Sequence, residues 1–111
     1  MKTALIGLDG ATFDVIEPWI EEGYLPNMKK LIEGGISGRL KSTIPPVTMP
    51  AFPALYTGVK PENMGVLGWK ELDIEENIIR RVSISKIKEK RLWRILSEHD
   101  KSSIWLNIPT T

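Results

Sequence analysis

Apolar residues along this chain fall into two rhythms, short unbroken runs and helical spacings. Residues 3–8 are an almost continuous apolar run ended by Asp9-Gly10, the pattern of a strand covered on both faces, as in a parallel sheet. Phe13, Ile16 and Ile20 then recur at i, i+3 and i+7, which predicts an amphipathic helix. Thr12 is placed to cap that helix, Pro18 to shorten or bend it, and Gly23 to stop it. A second helix opens at Leu25-Pro26-Asn27, carries Met28, Leu31 and Ile32 on its apolar face and ends at Gly34-Gly35. Between Ile36 and Ser42 the pattern alternates singly, Ile36, Gly38 and Leu40 against Ser37, Arg39 and Lys41. Such alternation predicts a strand with one wetter face.

Pro45-Pro46 stiffens a loop and biases the residues before it away from helix. A short helix is expected from about Pro50 to Tyr56, closed by Thr57-Gly58. Residues 59–68, rich in Gly, Pro and Asn, read as a surface loop, and residues 69–85 as extended, hairpin-like pieces. Leu92, Ile95, Leu96 and His99 share one helical face, and residues 103–108 repeat the buried-strand pattern. Runs and helices in alternation predict an α/β fold with a mostly parallel sheet and flanking helices. A parallel sheet continues from such a strand through a further helix, so the chain reads as the N-terminal portion of a longer protein.

Charge excludes one class of partner. Fifteen Lys and Arg against 14 Asp and Glu give a net charge of +1, and the signs are interspersed, so there is no nucleic-acid footprint. The most basic stretch, residues 86–94, is interrupted by Glu89. Absence of cysteine excludes disulfides, thiolate catalysis and cysteine-based zinc sites within this chain. The first apolar run is too short for a secretory core, and no run approaches a membrane span. A cytoplasmic location is the expectation, and the oligomeric state is open.

Two residues are candidates for chemistry. Asp9 follows the first apolar run and precedes Gly10. It reads either as a turn former or as a hard oxygen ligand for a divalent cation at the C-terminal end of a strand. Thr48 precedes the proline-rich helix and reads either as its cap or as a nucleophile. A threonine hydroxyl is not ionised at neutral pH, and a metal is one way to activate it without a histidine. The sole histidine, His99, reads as a packed residue of its helix, and Trp69, Trp93 and Trp105 read as packing residues.

In order, the segments Ile6-Gly7-Leu8-Asp9-Gly10-Ala11-Thr12-Phe13-Asp14, Leu25-Pro26-Asn27-Met28-Lys29-Lys30-Leu31, Pro46-Val47-Thr48-Met49-Pro50-Ala51, Leu55-Tyr56-Thr57-Gly58 and Pro61-Glu62-Asn63-Met64-Gly65 resemble those of the alkaline phosphatase superfamily. The type I phosphodiesterase/nucleotide pyrophosphatase branch is the nearest likeness, and it covers roughly residues 3–69. By that resemblance residues 1–69 hold the nucleophile and first metal-ligand segments, and residues 70–111 a connecting segment, helix and strand. Asp9 and Thr48 would bind one or both of two divalent ions, usually zinc, with manganese or magnesium as alternatives. Thr48 would attack phosphorus to form a phosphothreonine that water hydrolyses. The backbone amide of Met49 would help hold the phosphoryl oxygens of a small-molecule phosphodiester or pyrophosphate substrate.

Two departures qualify the likeness. Ala51 stands where nucleotide pyrophosphatases often carry an asparagine, and Met64 replaces the usual histidine before Gly65. The later Asp and His ligands of the family are absent, so the chain alone is expected to be inactive and the full-length parent to be the enzyme. The alternatives are a haloacid-dehalogenase-like phosphatase, against which Gly7 stands where its nucleophilic aspartate belongs, and a non-catalytic phosphate- or protein-binding domain.

Overall fold

The computed structural model of the chain describes residues 3–110. The chain divides into two compact units, Met1–Lys41 and Ser42–Thr111.

In the first unit, α1 (Phe13–Glu21) and α2 (Pro26–Gly34) form a helix pair. Phe13, Ile16 and Ile20 are the half-buried positions of α1, the stripe that the i, i+3, i+7 spacing predicts. Thr12 occupies the N-cap position without making a side-chain cap, and Pro18 lies inside the helix. The end is chemically well defined. Gly23 adopts φ +83°, and the Gly23 and Tyr24 amides donate to the Ile20 and Trp19 carbonyls at 3.1 and 2.9 Å. This is a Schellman stop, where a left-handed glycine lets two amides satisfy the last turn's carbonyls. In α2, Met28 and Ile32 are half-buried at i, i+4, whereas Leu31 faces solvent.

The second unit holds α3 (Thr48–Thr57), α4 (Pro61–Met64), β1 (Lys70–Asp73), β2 (Ile78–Arg81), a 3-10 turn (Ile84–Lys86) and α5 (Leu92–Glu98). Its core is Met49, Met64, Val66 and Ile87, fringed by Ala54, Val59, Val82 and Ile84. Val66 is wholly buried, a burial worth about 1.5–3 kcal/mol for a side chain of this type. The segment at residues 59–68 is therefore not a surface loop. Pro61 starts a short helix, and Met64 and Val66 turn inward. Met64, in the place of the expected histidine, is a core residue whose sulfur lies 3.4 Å from Thr57 Oγ1.

The predicted parallel sheet is not present among the described residues. The only sheet there is the antiparallel β1–β2 ladder, with Lys70 opposite Arg81 and Leu72 opposite Ile79. Residues 3–8, 36–42 and 103–108 carry no strand, and Ile36, Leu40 and Ile104 stand in solvent. A strand needs a ladder partner, and in a parallel sheet that partner comes through a crossover connection. The apolar patterns mark residues suited to burial; the described residues bring no ladder to them. Arg39 instead anchors its segment to α1 through Asp14 at 2.7 Å and lies 6.0 Å from the Phe13 ring centre. That hydrogen bond raises the pKa of Arg39 above its ordinary value.

Candidate functional site

Asp9 and Gly10 form a turn, with Gly10 at φ +69° and its carbonyl accepting from the Thr12 amide at 3.1 Å. The turn needs the left-handed conformation that glycine supplies at little cost. Asp9 itself is exposed. It thus satisfies the turn reading, and its carboxylate remains at the surface of the first unit.

Thr48 belongs to the second unit and is the first residue of α3 rather than its cap. The N-cap position is Val47, extended at φ −127° and ψ 156°, whose amide donates to the Pro45 carbonyl at 3.0 Å. Pro45 and Pro46 therefore set the entry of the chain, and the helix begins one residue after Val47. The buried face of α3 is Met49, Pro50, Pro53 and Tyr56, the i, i+4, i+7 stripe with Pro50 added. Thr48 is half-buried beside that face.

The prolines are part of the core rather than breaks in it. Pro50 and Pro53 are almost wholly buried. Pro50 lies in the first turn, where a missing amide costs little. Pro53 lies inside the helix, where it deprives one carbonyl of its partner. Thr57 and Gly58 close the element. Thr57 Oγ1 donates to the Pro53 carbonyl at 2.7 Å and accepts from the Val59 amide at 3.2 Å. Gly58 adopts φ +73° and donates to the Ala54 carbonyl at 2.9 Å.

At the start of α3 the amides of the first turn have no carbonyl within the helix to bond, and the dipole there is positive. The amide that follows Thr48 is that of Met49, and Pro50 has none. The end of the helix thus places a hydroxyl and one adjoining N–H together, an arrangement suited to a phosphoryl group.

The far end of α3 is tied down. The Tyr56 hydroxyl donates to the Thr110 carbonyl at 2.9 Å. Its ring lies 5.1 Å from that of Trp93, which lies 5.1 Å from Trp105. Trp93 and Trp105 thus pack as expected. Trp69 does not, since it is 57% exposed. His99 is also exposed, contrary to its place on the apolar face. It ends α5, with Nδ1 2.9 Å from the Ile95 carbonyl.

Beside Met49 an open groove of about 590 Å³ runs under Trp69 and along Lys70, Arg81, Val82 and Ile84. The sequence reading missed this groove. Its signal was the placement of Lys70 and Arg81 at mirrored positions about the hairpin turn.

Two divalent ions would ask for several hard donors each. Asp9 and Thr48 supply one carboxylate and one hydroxyl, the right kinds of donor. Among the described residues no three His, Asp or Glu side chains gather as a metal centre requires. Each residue is of a kind that binds hard cations, and neither belongs to a completed metal centre among the described residues.

A family model described as type I phosphodiesterase / nucleotide pyrophosphatase matches residues 3–111. The match runs well past the five segments that carry the sequence resemblance. No curated protein and no solved structure matches the chain.

Proposed function

The chain belongs to the type I phosphodiesterase/nucleotide pyrophosphatase family, and from that premise we propose that it carries the nucleophile portion of a phosphate-ester hydrolase. The observation that carries the reading is the position of Thr48 as the first residue of α3, next to the Met49 amide. Thr48 Oγ1 attacks phosphorus, the ester oxygen leaves with the departing alcohol or phosphate, and a phosphothreonine remains. Water then breaks the new P–O bond, releasing phosphate or a phosphate monoester and restoring the hydroxyl.

The residues of this chain position and polarise. The Met49 N–H donates to a phosphoryl oxygen, and the positive end of α3 favours the developing charge. The buried stripe of α3, which starts at Met49, holds that end in place, and the Tyr56 hydrogen bond fastens the other end. Asp9 and Thr48 are proposed ligands for divalent ions, with the remaining ligands supplied by the full-length protein from outside the described residues. When bound, such ions make the hydroxyl more acidic and neutralise phosphoryl charge. With Ala51 in place of an asparagine, no side-chain amide is available at that position to select a nucleotide substrate. Both diesters and pyrophosphates therefore stay within the proposed range. No helix among the described residues is long and apolar enough to cross a membrane.

The test is hydrolysis of an activated phosphodiester and monoester by the full-length protein and its Thr48→Ala variant. Turnover by the parent, lost in the variant and on chelation and restored by added zinc, is the expected result. Full activity of Thr48→Ala would refute the assignment.

A further inference from the structure

The hairpin is paired unequally on its two faces. On one face the charges are matched. Arg80 meets Asp73 at 3.0 Å and also Glu76, and Lys86 meets Glu71. The opposite face presents Lys70 directly across from Arg81, and Leu72 across from Ile79. Like charges directly opposite on an antiparallel pair are unfavourable. Among the described residues neither the Lys70 nor the Arg81 side chain has a hydrogen bond or ion pair. Elsewhere in this unit Arg80, Lys86, Lys90 and Arg94 each meet a carboxylate. These two stand exposed at the edge of the groove.

Trp69 completes the arrangement. Its backbone carbonyl accepts from the Val82 amide at 3.0 Å, which continues the ladder by one rung at the end of the hairpin, and Trp69 lines the same groove as the two cations. The ring is more than half exposed, whereas Tyr56, Trp93 and Trp105 of this unit pack in sequence against each other. Met49, Val82 and Ile84 supply an apolar floor. The volume lies within the range of small-molecule sites. The floor begins at the residue that follows Thr48.

We propose that this groove receives the non-reacting half of the substrate, and that Lys70 and Arg81 select esters bearing a negative charge beyond the scissile phosphate on an apolar or flat-ring group. The inference rests on the proposed hydrolase reading for the word substrate. The charge selectivity of the groove stands on the hairpin alone. The indole face and apolar floor take the ring, and the two cations take the anion. Binding of the anion also relieves the repulsion across the ladder.

The first arm needs no turnover. Binding of naphthalene-1-sulfonate and of the uncharged 1-naphthalenemethanol to the full-length protein is followed by tryptophan fluorescence, with Trp69→Phe identifying the indole that responds. The sulfonate is expected to bind about tenfold more tightly, the size of one charge-assisted contact. That ratio should collapse towards one in Lys70→Ala/Arg81→Ala and be largely retained in Lys70→Arg. Equal binding of the two probes by the parent, or a ratio unchanged in the double variant, overturns the proposal.

The second arm compares kcat/KM for bis(4-nitrophenyl) phosphate with that for an analogue carrying a carboxylate on the non-leaving ring. The parent should prefer the carboxylate ester, and the double variant should lose the preference. A preference that survives the double variant overturns the selectivity. Failure of the parent to hydrolyse either ester counts against the hydrolase reading, and the fluorescence arm then still decides the groove.

Discussion

Met49→Ala probes the packing that holds the start of α3. The change removes Cγ, Sδ and Cε from a side chain that is 3% exposed and packed in a cluster with Met64, Val66 and Ile87. Truncations of this kind in well-packed cores cost about 2–5 kcal/mol, the transfer term plus the cavity left behind. Two features of the site set the expectation at the lower end. Met49 also lines the groove, so water reaches part of the vacated space. Met64, unbranched and adaptable, can shift into the rest. A loss of about 2–3 kcal/mol follows, large against the roughly 5–15 kcal/mol that native domains have in all. Urea unfolding followed by the fluorescence of Trp93 and Trp105 should show a midpoint lowered by about 1–2 M at an unchanged slope. Met49→Leu, which conserves volume, should cost less than about 1.5 kcal/mol. A loss below about 0.5 kcal/mol in Met49→Ala, the range of surface changes, would refute the placement of Met49 in the core and with it the anchoring of the helix start.

Three further outcomes follow from particular contacts. Tyr56→Phe keeps the ring against Trp93 and loses the hydrogen bond to the Thr110 carbonyl; thermal unfolding should show a loss of about 0.5–1.5 kcal/mol, and no loss would mean that this bond does not fasten α3. Gly58→Ala meets no atom within 4 Å of the added carbon, so the cost at φ +73° is torsional alone, about 1–2 kcal/mol by equilibrium denaturation. The Lys90 hydrogen bond, helped by Arg94, holds the Glu98 carboxyl below its ordinary pKa. Its stabilising contribution is therefore present above the ordinary carboxylate range and is lost as pH falls through the lowered value. In Lys90→Met, carbon NMR should find Glu98 titrating closer to its ordinary value, and an unmoved titration would contradict the cause.

The parts of the fold that local chemistry decides were legible from residue order. The stripe of Phe13, Ile16 and Ile20, the left-handed stop at Gly23 and the hairpin between Trp69 and Ser85 each depend on neighbours within a few positions. What could not be read depends on distant partners. An apolar run such as residues 3–8 states a preference for burial but not which ladder would cover it. The short helix from Pro61 was hidden because Gly, Pro and Asn suit a loop and a four-residue helix equally. His99 shares the spacing of Leu92 and Leu96, yet α5 ends before it and its ring turns to the last carbonyls. Around the candidate residues, residue order put the helix start at about Pro50, two residues after the observed Thr48, and left Asp9-Gly10 open between a turn and a cation ligand, of which the turn is observed. It misassigned the cap position to Thr48, because Val47 has no side chain that signals an N-cap.

The central claim is that Thr48 becomes covalently phosphorylated during turnover. The direct measurement is acid quench of the full-length protein during hydrolysis of an activated phosphodiester, followed by peptide mass spectrometry. A phosphorylated, or for a diester an ester-bearing, Thr48 that disappears when substrate is exhausted is the predicted result. A protein that turns over substrate with Thr48 unmodified at every quench time, and retains its rate as Thr48→Ala, would contradict it.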